Sequence, residues 1–420
     1  MTQTDVIIIG AGAAGLGAAK RARELGLSFV LVEAGHRIGG RAYTEAIAPG
    51  VPFDLGCHWL HSGSINPFTK IADACGFAYE NDFTWERKLH SAGRWASAEE
   101  SAAREAFMDA AYAAVNKAGE AGQDISFADA TDRESRFTPF FDHVASLMAS
   151  VDSDQISVLD AARYNDTGEN WPVAMGYGAL VAAWGADVPV TLNAPVTRLA
   201  WGGPGIEAVT SKGTIRARAA IVTVSTGVLA NGAIAFDPAL PGWKRAAYEA
   251  LPLGVHNRIG IALDRDPFGS EVARGLIHAD ADHEPMHIQI RPFGHPFVVG
   301  LTGGRFGAWL ERAGVNAAVD HLTDRLKAVF GNDVAKGFGR AIVTAWGGDP
   351  WTFGSYSAAT PGTGWKRPDL ARPIDQRLFF AGEATSLDFF STCHGAMLSG
   401  VRATDEASGA LGVDRRAAAS

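Results

Sequence analysis

Apolar positions follow two rhythms along the chain. Val6 to Ile9 is an unbroken β-branched run, the pattern of a strand buried on both faces. A glycine turn and the helical stretch "AAKRAREL" follow, ending at Gly26, and a second strand is predicted over Phe29 to Val32. From 97 to 163 the period becomes helical. Ser97 and Glu100 form a capping box, and Phe107, Ala110, Ala111, Ala114 and Val115 share one helix face. Thr138-Pro139 opens another helix, with Phe141, Val144, Met148 and Val151 on one side, and Ser157 with Asp160 begins a third. Strands return over 188–236, where Ala220 to Val224 is another buried run. Residues 254–345 alternate like strands, with a helix near 315–330 and a strand near 340–345. The end reads as strand, Gly-Glu turn, loop and helix.

A chain of 420 residues is too long for one core at roughly 100–200 residues per domain. Hydrophobic content of 47% and charged content of 20% suit a globular protein. The net charge of −9 is spread along the chain and gives no reason to expect nucleic acid or an anionic membrane as a partner. Cys57, Cys75 and Cys393 are odd in number and lack metal-like spacing, which suggests a reducing compartment. No run approaches the ~18 apolar residues of a membrane span, and the N-terminal apolar run stops at a glycine turn, so a cytoplasmic protein is expected.

Gly10, Gly12 and Gly15, with Ala14 between the last two, form G-x-G-x-x-G between a strand and a helix. The first glycine permits the turn, the second a close pyrophosphate, the third the packing of helix on strand. Glu33, at the end of the second strand, can accept hydrogen bonds from a ribose hydroxyl. Gly39-Gly40-Arg41 lies just beyond, where Arg41 can reach phosphate oxygens, and resembles the second fingerprint of FAD-binding oxidoreductases. Nucleotide-binding pieces at the start, middle and end, with other blocks between, predict an α/β protein. A discontinuous FAD-binding Rossmann-like domain (1–80, 185–253, 346–415) would carry an α+β substrate-binding domain (81–184, 254–345) with a mixed sheet and a helical insertion.

With "GAGAAG", "GGR", "DLGCHWLHS", "WGGDPWTFGSYSAATPG" and "LFFAGEAT…STCHGAMLSGVRA" in hand, the chain resembles the flavin-containing amine oxidases over almost its whole length. The last two segments are most similar to acetylpolyamine and spermine oxidases. The resemblance implies FAD, a small amine substrate, and O2 or another electron acceptor. It implies that Glu33, Gly40 and Arg41 hold the adenosine and phosphates, Val196 the adenine half, and Gly382 and Glu383 the ribityl-pyrophosphate region. Gly56 and Cys57 would pass the isoalloxazine ring, and Thr392 with the helix near His394 would meet its pyrimidine edge. Trp346, Trp351 and Tyr356 fall on the family's aromatic positions around the flavin, and Tyr356 matches one wall of the amine-guiding cage. Thr392 stands where monoamine oxidases place the second tyrosine, and Ser355 where they carry the FAD-attaching cysteine, which implies non-covalent FAD.

His61 falls where acetylpolyamine oxidases carry an active-site histidine. It is either an amine-binding or basic group or a domain-interface histidine, and His58 is the lesser candidate. Arg258, in "LPLGVHNRIGIAL", takes the position of the family's lysine beside flavin N5. It is either a weak substitute that makes O2 a poor acceptor, a simple replacement, or a solvated charge. Rival readings are an L-amino acid oxidase using Arg258 for the carboxylate, a non-catalytic flavoprotein, and a chromatin demethylase, for which no extra helical domain is seen. "HADADHEPMH", His278 to His287, tempts a metal assignment but is expected to be a solvated hairpin.

Overall fold

The computed structural model describes residues 4–82, 87–269, 272, 274–279 and 284–413. Thr4–Ile9 lies between Gly213–Val222 and Phe29–Val32, parallel to both. Its pleat sends Val6 and Ile8 toward the helices Ala13–Glu24 and Cys393–Leu411, and Ile7 and Ile9 toward the opposite layer with Val222 and Phe380. Both faces are dry, which is why the run is continuously apolar. Leu378–Phe380 joins Gly213–Val222 in parallel, so strands from the beginning, middle and end of the chain share one sheet. Val190–Thr191 closes one edge, and Ile206–Thr210, Val196–Ala200 and Ala235–Asp237 extend the other.

The helices Ala13–Glu24 and Cys393–Leu411 touch backbone to backbone. A Cβ on Gly400 would stand 2.0 Å from the Ala14 carbonyl oxygen, and one on Gly15 would stand 1.8 Å from that of Gly10. The first contact seats the middle of the last helix on the first turn of Ala13–Glu24, although nearly four hundred residues separate them, and the second packs that helix on its own glycine turn.

A second, mixed sheet has the order Phe338–Val343, His256–Leu263, Phe297–Gly303, Met286–Ile290, Gly275–Ala279, Arg87–Ser91, Arg94–Trp95. Along His256–Leu263, Ile259, Ile261 and Leu263 pack into the core beneath the helix Val315–Phe330. His256 and Arg258 therefore share the opposite face. The two strands Arg87–Ser91 and Arg94–Trp95 were not legible as such. "RKLHS" carries one aliphatic residue, and its strand state depends on parallel pairing with the distant Gly275–Ala279.

The helical block follows the expected order with local differences. Both bonds of the Ser97–Glu100 capping box are present at the start of Ala98–Glu120. That helix buries Arg104, Ala111, Val115 and Gly119, whereas Ala110 is exposed, because Gly119 rather than a larger residue seats it on Val158–Ala161. The face expected on Thr138–Ala149 is split. Phe141 and Ala145 enter the core, while Val144 and Met148 line a cavity, Met148 being 58% exposed. The third helix is a single turn, Val158–Ala161, capped by Ser157, and the run to Val224 leaves the sheet after Val222.

Gly275–Ala279 and Met286–Ile290 do form a hairpin around "HADADHEPMH", whose residues 280–283 lie outside those described. Its flanks are not solvated as expected: His278 is 1% exposed, because this hairpin runs through the sheet interior. No group of three or more metal-type side chains occurs among the described residues, and no helix among them is long and apolar enough to cross a membrane.

Candidate active site

Every candidate residue except Gly15 lines one cavity of about 1340 Å³. Gly15 instead packs under the turn. At one end the cavity is a cradle. Gly12 caps the helix Ala13–Glu24 without a side chain to satisfy its first-turn N–H groups, and Gly12, Ala13 and Ala14 face the cavity. Gly10 has φ +103°, open to glycine and strained for other residues. Such a turn offers backbone donors and a positive dipole end to an anion. Glu33 accepts from the Ala11 N–H at 2.6 Å through one oxygen and from the Gly35 N–H at 2.7 Å through the other. Each oxygen keeps a lone pair for a ribose hydroxyl. Val196 opens its strand at this end, and Gly40 borders the turn. Trp351, 47% exposed, stands against Gly35 beside Glu33 and away from Trp346, which is buried with its indole N–H on the Leu55 carbonyl at 2.9 Å.

Arg41 donates to the Ser355 carbonyl at 2.6 Å and to Glu383 at 3.0 Å. The Glu383 carboxylate also accepts from the Ser357 N–H and hydroxyl and the Ser391 N–H. Its charge is thus spent on holding Arg41 and the loop, and only the Gly382-Glu383 backbone remains for a ligand. Thr392 caps Cys393–Leu411 by accepting from the Gly395 N–H at 3.0 Å. The Cys57 thiol accepts a hydrogen bond from Cys393, which favours its thiolate and pushes the Cys393 thiol up.

The other end is a chamber. Tyr356 gives it a wall, and its hydroxyl donates to the Leu147 carbonyl and meets His256 Nδ1 at 2.9 Å. His256 Nδ1 also lies 3.0 Å from the Leu147 carbonyl. Burial and then Arg258 lower the His256 pKa to about 4, so its imidazole is neutral. His61 pairs with Asn170 across the two-stranded sheet Trp59–His61/Asn170–Pro172, and its Nδ1 lies 2.5 Å from Asn170 Oδ1. An amide oxygen accepts only, so Nδ1 carries the proton and Nε2 is left as an acceptor. Burial lowers the pKa of His61 and of His58, whose Nδ1 meets Asp54 at 2.9 Å.

Arg258 is 6% exposed and lines the chamber. Its Nε has no hydrogen-bond partner, and it makes no ion pair among the described residues. Its guanidinium carbon lies 5.6 Å from the Phe53 ring centre. The solvated reading of Arg258 is therefore excluded.

Several lining residues were missed from sequence. His256 was within reach, since it stands two positions before Arg258 on one strand and must share its face. Asn170, His287 and Gln289 arrive by long-range pairing and carry no local signal.

A glycine-turn cradle continuous with a buried chamber is the architecture of a flavoprotein oxidoreductase. The chain belongs to the flavin containing amine oxidoreductase family, whose model matches residues 13–408. It is thus an oxidoreductase acting on amines, and its family implies a flavin cofactor. It is 29% identical to polyamine oxidase 4 of Oryza sativa subsp. japonica, over 96% of this chain and 88% of that protein. It is 28% identical to lysine-specific histone demethylase 1 homolog 1 of the same plant, over 95% of this chain but 51% of that longer protein. Among solved structures, putrescine oxidase with bound putrescine shares the fold, with a TM-score of 0.81 at 18% identity, over 96% of this chain and 98% of that one.

Proposed function

We propose that this protein holds FAD non-covalently and oxidises an amine at the carbon bearing nitrogen, with O2 or another acceptor taking the electrons. The observation that carries the reading is the continuity of the glycine cradle with a chamber walled by Tyr356, His61 and Arg258. When bound, FAD supplies a two-electron acceptor for hydride, and the protein supplies position and electrostatics. The first turn of Ala13–Glu24, which no side chain caps, would meet its phosphates, Glu33 its ribose, and the capped helix end at Thr392 its developing negative charge. Ser355 exchanges hydrogen bonds with the His256 backbone and carries no thiol for attachment.

The chamber residues prepare the amine. Nitrogen must present a lone pair for its neighbouring carbon to release hydride. Neutral His61 can accept an N–H bond through Nε2, and neutral His256 adds no charge against an amine. The face of Tyr356 accommodates a cation or a neutral amine. Water then hydrolyses the imine to aldehyde and amine. The three free thiols suit a cytoplasmic enzyme.

Anaerobic mixing of the yellow protein with monoamines, diamines, acetylated polyamines and amino acids tests the reading. Bleaching by at least one class is expected, and a flavin-loaded protein that none of them reduces would overturn it. Glu33→Ala is expected to weaken FAD retention about 10–100-fold, the equivalent of one or two charge-assisted hydrogen bonds. The flavin-to-protein absorbance ratio after dialysis reads this, and an unchanged ratio refutes the role of Glu33. Arg258 is assigned to slow reoxidation by O2, since a guanidinium cannot release its proton and orders water differently from an ammonium. Arg258→Lys should speed stopped-flow reoxidation in air about tenfold, a barrier change of roughly 1.4 kcal/mol. Equal rates in both proteins would remove the assignment.

A further inference from the structure

A buried cation without a counter-ion is costly unless a ligand supplies one. Arg258 is such a cation, and the carboxylates around it are already committed. Asp54 supports its charge through space, yet accepts from Thr44, His58 and the Tyr177 and Gly178 N–H groups. Asp160 is paired with Arg367, and Glu383 with Arg41. The other acids on the chamber side, Glu120 and Asp166, are exposed. Among the described residues, no carboxylate of the inner chamber pairs with Arg258.

The sheet adds polar side chains beside that charge. Arg258 stands opposite Leu301, and Leu301 opposite His287, so the three form one row on one face. Gln289 lies two positions along the same face and is 3% exposed. All four line the cavity. A guanidinium beside an amide and an imidazole matches a carboxylate, which takes two parallel N–H bonds from arginine. A substrate carrying several ammonium groups would place like charges against the same wall.

We infer that the chamber takes an amine whose oxidised carbon also bears a carboxylate, as in an α-amino acid, with Arg258 as the carboxylate's partner. This rests on the amine-oxidising reading above and narrows its substrate. The carboxylate belongs next to the reacting carbon and not at a distant end, because Arg258 shares its strand face with His256, whose Nδ1 meets the hydroxyl of Tyr356, the wall that the amine-oxidising reading gives the chamber. The oxidation balances as before. The α-carbon gives up hydride to the flavin, nitrogen forms the C=N bond and loses a proton, and water releases ammonia and a 2-oxo acid.

The test compares matched pairs on the flavin-loaded enzyme without oxygen: leucine against isoamylamine, and phenylalanine against phenethylamine. The amino acid of at least one pair should bleach the flavin about 100-fold faster, the value of a bidentate charge-assisted contact. Amines that react as fast as or faster than both amino acids overturn the inference and leave amine oxidation standing. If no amine or amino acid reduces the flavin, the amine-oxidising reading itself falls. Benzoate titration of the flavin spectrum gives a second readout. Its Kd should rise about 30-fold or more in Arg258→Met and less than about tenfold in Arg258→Lys, which keeps the charge. Equal benzoate affinity in wild type and Arg258→Met, or no benzoate binding to wild type, overturns the inference. Should Arg258→Met fail to hold flavin, the matched pairs on the unaltered enzyme decide.

Discussion

Asp160→Ala is expected to lower the unfolding free energy by about 3–5 kcal/mol, the usual cost of leaving a buried charge without its partner. Asp160 and Arg367 are 5% and 1% exposed at their side chains and meet through two parallel bonds of 2.8 and 2.7 Å. Arg367 also donates to the Ser357 hydroxyl at 2.9 Å and the Ala384 carbonyl at 3.2 Å, and stacks on Phe390 at 3.9 Å. The pair ties the short helix Val158–Ala161 to Lys366–Ala371 and to the loop that carries Glu383. Removing the carboxylate strands the guanidinium in a site shaped for an anion. Urea unfolding near neutral pH measures the loss. The double change Asp160→Leu with Arg367→Met should be less damaging than Asp160→Ala alone, because no charge is then left buried. A single mutant within about 1 kcal/mol of wild type would show that the pair is replaceable.

Acidification is expected to cost roughly 3–4 kcal/mol of stability between pH 6 and pH 5, from three buried histidines at about 1.4 kcal/mol per pH unit each. Burial lowers the pKa of His143 to about 3, of His394 to about 3 and of His256 to about 4. The bonding agrees: His143 Nε2 accepts the His287 N–H at 3.3 Å, which requires an unprotonated nitrogen. In the unfolded chain these groups protonate near pH 6.5. Folded values below unfolded ones mean that the unfolded state takes up protons first. The contribution is therefore complete above about pH 6.5 and shrinks as pH falls toward the folded values. Urea midpoints at pH 7, 6 and 5 should fall in step, and a flat series would refute the three neutral imidazoles.

Local chemistry made one half of the molecule legible. Val6 to Ile9, the glycine turn, the helix to Gly26 and Phe29 to Val32 form a unit whose contacts are short in sequence, and it folds as its pattern indicates. The same holds for Val315–Phe330 and for the capping box at Ser97. The chamber was legible in part. Arg258 stood out as a charge in an apolar strand, but its alternatives, solvent or site, differ only in what lies across from it. Met148 and Val144 looked like core residues, because an apolar side chain facing a cavity and one facing a helix follow the same period.

The sequence by itself determined the dinucleotide turn, the flavoenzyme family and most of the regular elements, since these depend on glycines, caps and periodicities within a few residues of one another. Only the tertiary structure decided that Glu383 is spent on Arg41, that Asn170 sets the tautomer of His61, and that Arg258 lies buried with no ion pair among the described residues and no hydrogen bond at its Nε. Each of those facts depends on a neighbour supplied by a distant segment. A side chain's charge state and free valences are properties of the company it keeps, and that company is chosen by packing.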